Sequence, residues 1–278
     1  RDQISLYNNA KVIFSLFGID PSLDGTAGEV IMQLKVDSDD FVFKQFDGTE
    51  VFRVEDNGDF DIAKQMIIDC KKAGADAVKF QKRTLDEMYT KENLNKPYLK
   101  ESSFGSTYGL HKEFLEFSNE QLIDLKKIAD NHKITFIVSG FDISGFNFIE
   151  NQLNVPFHKI ASPLVTHYPL LEHVARFKKP MIISTGMHNY EEVKDMLKMV
   201  RKINKKIILL QCTTSYPTPD EDVNLNVLNR YIKDFNILSG YSSHDRGVVI
   251  AAASVALGGC FIEKHYTFDR MAKGPDHV

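Results

Sequence analysis

Val51–Gln81 reads VFRVEDNGDFDIAKQMIIDCKKAGADAVKFQ, and three elements follow from it. Val51–Glu55 is a short run of β-branched and aromatic residues, the composition that suits a pleated strand. Asp59 precedes Phe60–Lys72, where apolar residues recur at helical spacing. Its carboxylate can accept the unpaired N–H groups of a first helical turn, and Gly74 just past the end suits a left-handed cap. Asp76–Gln81 is strand-like again. Strand, helix and strand in this order predict a parallel pair joined by a right-handed crossover.

The same alternation continues outward. Thr135–Gly140, Phe157–Ser162, Pro180–Thr185, Lys206–Thr213, Asn236–Ser243 and Cys260–Thr267 are further strand-like runs, which brings the number to eight. Most are near-continuous apolar stretches, as parallel strands covered on both faces should be. Between them, Ser118 and Gln121 form a capping box opening a helix over Asn119–Asn131, and Glu191–Lys202 places Val193, Met196, Leu197 and Val200 on one face. The predicted fold is α/β, a (β/α)8 TIM barrel over residues 51–278. An open doubly wound sheet is the alternative, and eight regular units favour closure. No helix pattern follows the last strand before Val278, so the barrel is expected to lack its final helix.

Two regions break the rhythm. Residues 83–117 form a long excursion after the second strand, with Tyr89, Pro97, Tyr98, Phe104, Gly105 and Gly109. In a barrel it would stand above the mouth, where long loops tend to be functional. Residues 1–50 do not fit the repeat. Glu29–Lys35 and Phe41–Phe46 look like hairpin strands, with Asp47-Gly48 as a turn, and the region is predicted to be a hairpin-like N-terminal appendage or plug.

Composition narrows the function classes. A hydrophobic share of 43%, a charged share of 26% and a formal net charge of −4 describe an ordinary globular chain with scattered lysines and arginines. Nucleic acid and an anionic membrane surface are therefore not expected as main partners. Val248–Leu257, the longest apolar run, is too short to span a bilayer, and the N-terminus lacks a signal-peptide succession. The expected location is cytoplasmic, with Cys70, Cys212 and Cys260 as reduced core thiols.

In a barrel the polar residues at strand C-termini converge on one mouth. Here these are Lys79 and Gln81, Ser139, Lys159 and Ser162, Ser184, Thr213 and Thr214, Ser242 and His244, and Glu263 and His265. Two lysines, several hydroxyls and the adjacent Gly140 and Gly186 suit an anion with several oxygens, most simply a phosphate. A lysine near a strand end usually snorkels to solvent. Lys79 and Lys159 are instead flanked by core residues, and an interior lysine needs a counter-charge that a bound anion would supply. His244 and His265 end consecutive strands, which lie roughly 4.8 Å apart in a sheet. Two such imidazoles can share a divalent metal, with Glu263 nearby as an indirect partner, or can be hydrogen-bonded structural residues. The remaining histidines, His111, His132, His158, His167, His173 and His188, read as structural or surface groups.

Several stretches resemble the sialic acid synthase family. They are GADAVKFQK (Gly74–Lys82), TYGLHKEFLEF (Thr107–Phe117), QCTTSYP (Gln211–Pro217), EDVNL (Glu221–Leu225), GYSSH (Gly240–His244), IEKHYTFDR (Ile262–Arg270) and GPDH (Gly274–His277). The resemblance runs in order from about Asn57 to the end, and the tyrosine-rich insert and Gln211 look closer to its animal-type branch. It implies condensation of phosphoenolpyruvate with N-acetylmannosamine or its 6-phosphate, giving a nine-carbon 2-keto sugar acid and phosphate. It also implies a divalent metal on His244 and His265, manganese first and magnesium or cobalt as alternatives. Lys79, Ser139, Lys159, Ser162, Ser184, Thr214 and Ser242 would hold phosphoenolpyruvate, while Gln81, Tyr216 and Asp276 would contact the amino sugar. Lys79, Lys159 and Glu263 are the residues expected to be catalytic.

The sequence also departs from the family pattern. Where the first strand usually carries a glutamate followed by an Asn-His pair, this chain has Val51, Glu55 and Asp56, unless a register change in that strand brings Glu50 or Glu55 into the missing carboxylate's place. The acidic residue that normally follows Ser162 by two is here Leu164. The family's C-terminal antifreeze-like domain, which contributes an arginine to the partner's site in a homodimer, is not found in this sequence. A related synthase with another acceptor, and a catalytically weakened barrel that binds a phosphorylated ligand, are therefore the competing expectations.

Overall fold

The structure, a computed structural model, describes the backbone of residues 3–8, 10–15, 29–31 and 49–55 and the whole of residues 58–272. Near the N-terminus β1 (Gln3–Asn8) pairs antiparallel with β2 (Ala10–Ser15), and β2 pairs parallel with β3 (Glu29–Ile31). The hairpin is thus earlier than Glu29–Lys35 and Phe41–Phe46. Its signal in the sequence is Asn8-Asn9, a turn-favouring pair between two strand-like runs. Phe41–Phe46 and Asp47-Gly48 lie outside the described residues.

The remaining strands are β4 (Thr49–Glu55), β5 (Ala77–Lys82), β6 (Thr135–Gly140), β7 (His158–Ile160), β8 (Met181–Ser184), β9 (Ile207–Cys212), β10 (Leu238–Ser242) and β11 (Phe261–Thr267). They form one curled parallel sheet in which each strand pairs with its sequence neighbour and β11 returns to β4. This sequential order excludes the doubly wound alternative, which needs a reversal of strand order. Strand boundaries differ from expectation where the backbone has another task. Asn236 sits at φ 48° and ends the preceding helix, so β10 starts later. Ser162 leaves the sheet for a 3-10 turn over Ser162–Leu164 that contains Pro163, which has no N–H to give a ladder.

Ten α-helices accompany the strands in the described residues: α1 (Phe60–Ala73), α2 (Leu85–Met88), α3 (Lys91–Asn95), α4 (Tyr108–Phe114), α5 (Asn119–Asn131), α6 (Ile143–Phe148), α7 (Tyr168–Arg176), α8 (Tyr190–Val200), α9 (Asn226–Phe235) and α10 (Val249–Ala256). The expected caps are present. Asp59 accepts from the N–H groups of Asp61 and Ile62, Gly74 adopts φ 95° after α1, and Ser118 and Gln121 close a reciprocal box on α5. Val193, Met196, Leu197 and Val200 are the buried face of α8. Residues 83–117, expected as a loop, contain α2, α3 and α4 around a cluster of Tyr89, Tyr98, Phe104, Tyr108 and His111 rings. Helices this short carry too little periodicity to be read, and aromatic packing holds them. None of the helices in the described residues is long and apolar enough to cross a membrane.

The core has two parts, set by the two-residue alternation of strand side chains. Outward-facing residues such as Val78, Phe80, Val138 and Ile183 pack with the helices in the larger cluster. The inward row gives a separate apolar floor of Ala77, Ile137, Ile182, Leu210 and Phe261. Two residues further along the same row come Lys79, Ser139, Ser184, Cys212 and Glu263. The floor excludes water from below, and the polar layer rests on it.

Candidate active site

Lys79, Lys159 and Glu263 are all buried, and the structure brings them together on that layer. Lys79 Nζ lies 2.5 Å from Glu263 Oε1, and Lys159 Nζ lies 3.7 Å from Glu263 Oε2. Lys159 also donates to Ser184 Oγ at 2.7 Å and to the Ile160 carbonyl at 3.1 Å, and Ser242 Oγ donates to Glu263 Oε1 at 3.1 Å. The counter-charge expected from a bound anion is therefore supplied in part by Glu263. The trio still has an excess of one positive charge, held by side chains with little freedom. Ser139 is buried in the same layer, in register between Gln81 and Lys159.

Beside this trio the loop after β8 comes close to its neighbours. The Gly186 N–H donates to Ser162 Oγ at 3.0 Å. A Cβ on Gly186 would stand 2.4 Å from Thr214 Oγ1 and 3.0 Å from Ser162 Oγ, so only glycine permits this approach. His188 Nε2 is 3.0 Å from the Ser162 carbonyl and donates to it, fixing the turn from the far side. Ser162, Ser184, Thr214 and Ser242 come from four strand ends, with Ser184 on Lys159, Ser242 on Glu263, and Ser162 and Thr214 closing on Gly186. Hydroxyls beside ammonium groups suit a group with several oxygens.

The two strand-end histidines are neighbours, with ring centroids 5.2 Å apart and planes at 70°. His244 Nδ1 is 2.7 Å from the Thr213 carbonyl. A carbonyl only accepts, so Nδ1 carries the proton and Nε2 of the neutral ring keeps its lone pair. This is the tautomer that a metal-ligating histidine needs. Tyr216, before a cis bond to Pro217, lays its ring 4.0 Å from that of His244 and stands 5.7 Å from that of His265 with the planes at 78°. Among the described residues no group of three or more His, Cys, Asp or Glu side chains has metal-holding geometry. The donor set for a divalent cation at this place would be the two imidazoles. Glu263 pairs with both lysines.

Cys212, expected as a reduced core thiol, ends β9 inside the site, with Sγ 3.8 Å from His244 Nδ1. Burial pushes its pKa up, against the lowering by Ser162, Lys159 and Ser242, so it remains a thiol and a poor nucleophile. All three cysteines are free. Gln81 faces the mouth region from the end of β5 and accepts from Arg83, a residue that strand-end logic does not reach because it lies beyond the strand. Leu164 is buried in the large hydrophobic cluster. In β4 the register sets Val51 beside Glu263 and Ala77, so Glu50 has not slipped into that place. Asp56 and Asp276 lie outside the described residues.

The chain is similar in sequence and fold to known proteins. The chain is 42% identical over 221 residues to the N-acetylneuraminate-9-phosphate synthase of Homo sapiens, covering 79% of this chain and 61% of that protein. It is 36% identical over 232 residues to the N,N'-diacetyllegionaminic acid synthase of Legionella pneumophila, covering 81% of this chain and 65% of that one. The chain thus spans less than two thirds of the length of either relative. The crystal structure of the N-acetylneuraminic acid synthetase of Leptospira borgpetersenii, in complex with citrate, superposes with a TM-score of 0.73 at 27% identity, covering 88% of this chain and 82% of that chain. The profile of the NeuB family matches residues 66–278, and the chain belongs to that family.

Proposed function

We propose that this chain carries the phosphoenolpyruvate-dependent condensing site of a nonulosonic acid synthase, on a (β/α)8 barrel of residues 51–278 with residues 1–50 as an appendage. The observation that carries the reading is the Lys79–Glu263–Lys159 trio beside the His244–His265 pair. One half suits a phosphorylated carboxylate and the other a carbonyl electrophile. The named activities of the relatives support the same class, with the substrate differing among them.

In this reading Lys79 and Lys159 neutralise the carboxylate and phosphate of phosphoenolpyruvate, and Ser139, Ser162, Ser184, Thr214 and Ser242 complete its hydrogen bonds. C3 of phosphoenolpyruvate forms the new bond to the aldehyde carbon of an open-chain N-acylhexosamine. Water adds to C2, and phosphate leaves from the same carbon, so C2 becomes the ketone of the product. Glu263 keeps the two ammonium groups from repelling each other before substrate arrives and holds Ser242 in place. Gln81, Tyr216 and Asp276 are assigned to the acceptor. A divalent metal on His244 and His265, manganese first, would polarise the aldehyde. The apolar floor beneath keeps bulk water from the reacting carbon except through the mouth.

A second reading, a barrel that binds the phosphorylated ligand and turns it over poorly, is favoured by Leu164, which fills core where the family has an acid. Phosphate release from phosphoenolpyruvate with manganese, across N-acylhexosamines and their 6-phosphates, tests the main reading. Release at any rate that requires an N-acylhexosamine is the expected result. Failure to bind phosphoenolpyruvate, or release indifferent to acceptor, would overturn it.

A further inference from the structure

The excursion over residues 83–117 is fastened to the barrel at its base by polar contacts centred on Arg83. Arg83 Nη1 lies 2.6 Å from Glu116 Oε1, and the Arg83 backbone N–H donates to Glu116 Oε2 at 3.0 Å. Beside them Lys82 Nζ donates to the Phe117 carbonyl at 3.0 Å. The Arg83 guanidinium sits over the Phe141 ring, 4.5 Å from its centroid, and its Nη2 donates to Gln81 Oε1. Both partners of the ion pair are largely buried, with 16% and 10% of their side chains exposed.

A guanidinium has five donors and no acceptor. Its bond to Gln81 therefore decides which way that amide lies. The oxygen must face Arg83, so the NH2 is turned to the other side. A lone glutamine at a substrate site can flip and present either end, whereas this one is held with its NH2 away from Arg83.

We infer that Arg83, held by Glu116, is a positioning residue that sets Gln81 as an NH2 donor for an acceptor oxygen of the sugar, the N-acyl carbonyl or a hydroxyl. This rests on the reading that the N-acylhexosamine lies against Gln81. It also couples acceptor recognition to the seating of the excursion, because Glu116 stands at its far end and Arg83 at its start. Phosphoenolpyruvate, held by the trio on the floor, should not sense Arg83.

The test compares dissociation constants of the 278-residue chain for N-acetylmannosamine and its 6-phosphate with that for phosphoenolpyruvate, by calorimetry in manganese. Arg83→Met is expected to weaken the acceptor about tenfold, the worth of one oriented hydrogen bond, with phosphoenolpyruvate unchanged. Arg83→Lys, which can still donate to Gln81, should recover part of the loss. Gln81→Glu, which keeps the partner for Arg83 but removes the NH2, should lose acceptor binding while keeping its thermal midpoint. Because Arg83→Met alone strands the Glu116 charge, the double variant Arg83→Met/Glu116→Gln covers the case of poor folding. Acceptor binding unchanged in Arg83→Met, or both ligands weakened equally, would overturn the positioning role while leaving the assigned reaction standing. A wild-type chain that binds phosphoenolpyruvate but no N-acylhexosamine would remove the acceptor reading and this inference with it.

Discussion

Lys159 has 2% of its surface exposed, and its ammonium meets a serine hydroxyl, a carbonyl and the further oxygen of a shared carboxylate. Lys79 holds that carboxylate at closer range. Changing Lys159 to Met should therefore leave the Lys79–Glu263 pair and the fold standing. It should weaken phosphoenolpyruvate by about ten- to a hundredfold, the range for one charge-assisted hydrogen bond of roughly 1.5–3 kcal/mol. Calorimetric titration measures this directly, and unaltered affinity would remove Lys159 from the anion site.

His158 makes a different point, on stability. It is fully buried between the Phe146 and Phe177 rings, and burial holds its pKa down to about 4 despite the Glu150 carboxylate 3.1 Å away. An unfolded histidine takes up its proton near 6.5. Between those values the unfolded chain binds more protons than the folded one. Stability should therefore fall as pH drops from about 6.5 to about 4 and stay level in this respect below. Urea midpoints from pH 7.5 to 4.5 should decline more steeply for the wild type than for His158→Phe. Parallel lines would show that this histidine is not the source.

At the level of elements, the turn after β8 is the one on which the proposed phosphate subsite depends. Gly186 lets its backbone close on Ser162 and Thr214. A methyl group there must push both hydroxyls away, at a cost of about 1–3 kcal/mol for overpacking. Gly186→Ala should weaken inorganic phosphate and phosphoenolpyruvate by about tenfold while leaving the far-UV spectrum unchanged. Equal affinity would mean that the turn does not shape the site. The elements also show what could be read beforehand. Strand ends were legible because a two-residue alternation fixes which side chains face inward, and Lys79, Ser139, Ser184 and Glu263 all fall on that row. The caps of α1 and α5 are local chemistry over a few residues. The helices inside 83–117 were not legible, since none exceeds two turns, and neither was Arg83, whose partner Glu116 is brought back only by the excursion's own packing. The shared role of Glu263 needed the sheet to curl, because β5, β7 and β11 are far apart in the chain.

For the molecule as a whole, binding and turnover should separate. The lysines and hydroxyls proposed to bind the anion come from β5 to β10 and the segments just beyond them, and His244 and His265 stand close together, ring centroids 5.2 Å apart. Ground-state affinity for phosphoenolpyruvate and a divalent metal should therefore be ordinary. The positions at which the family resemblance expects acids are occupied otherwise. Leu164 is packed into the main core, and Val51 takes the register place beside Glu263. Groups that manage protons in a condensation act on the rate rather than on affinity, and losing one costs about 10²–10⁴-fold. The 278-residue chain should thus bind phosphoenolpyruvate and manganese but condense slowly. Restoring an acid at Leu164 alone should not help, because it would bury a carboxylate in apolar surroundings. Steady-state rates with saturating N-acetylmannosamine or its 6-phosphate would decide the matter. A turnover number near the ordinary enzyme median of roughly 10 s⁻¹ would show that the chain manages its protons without either acid.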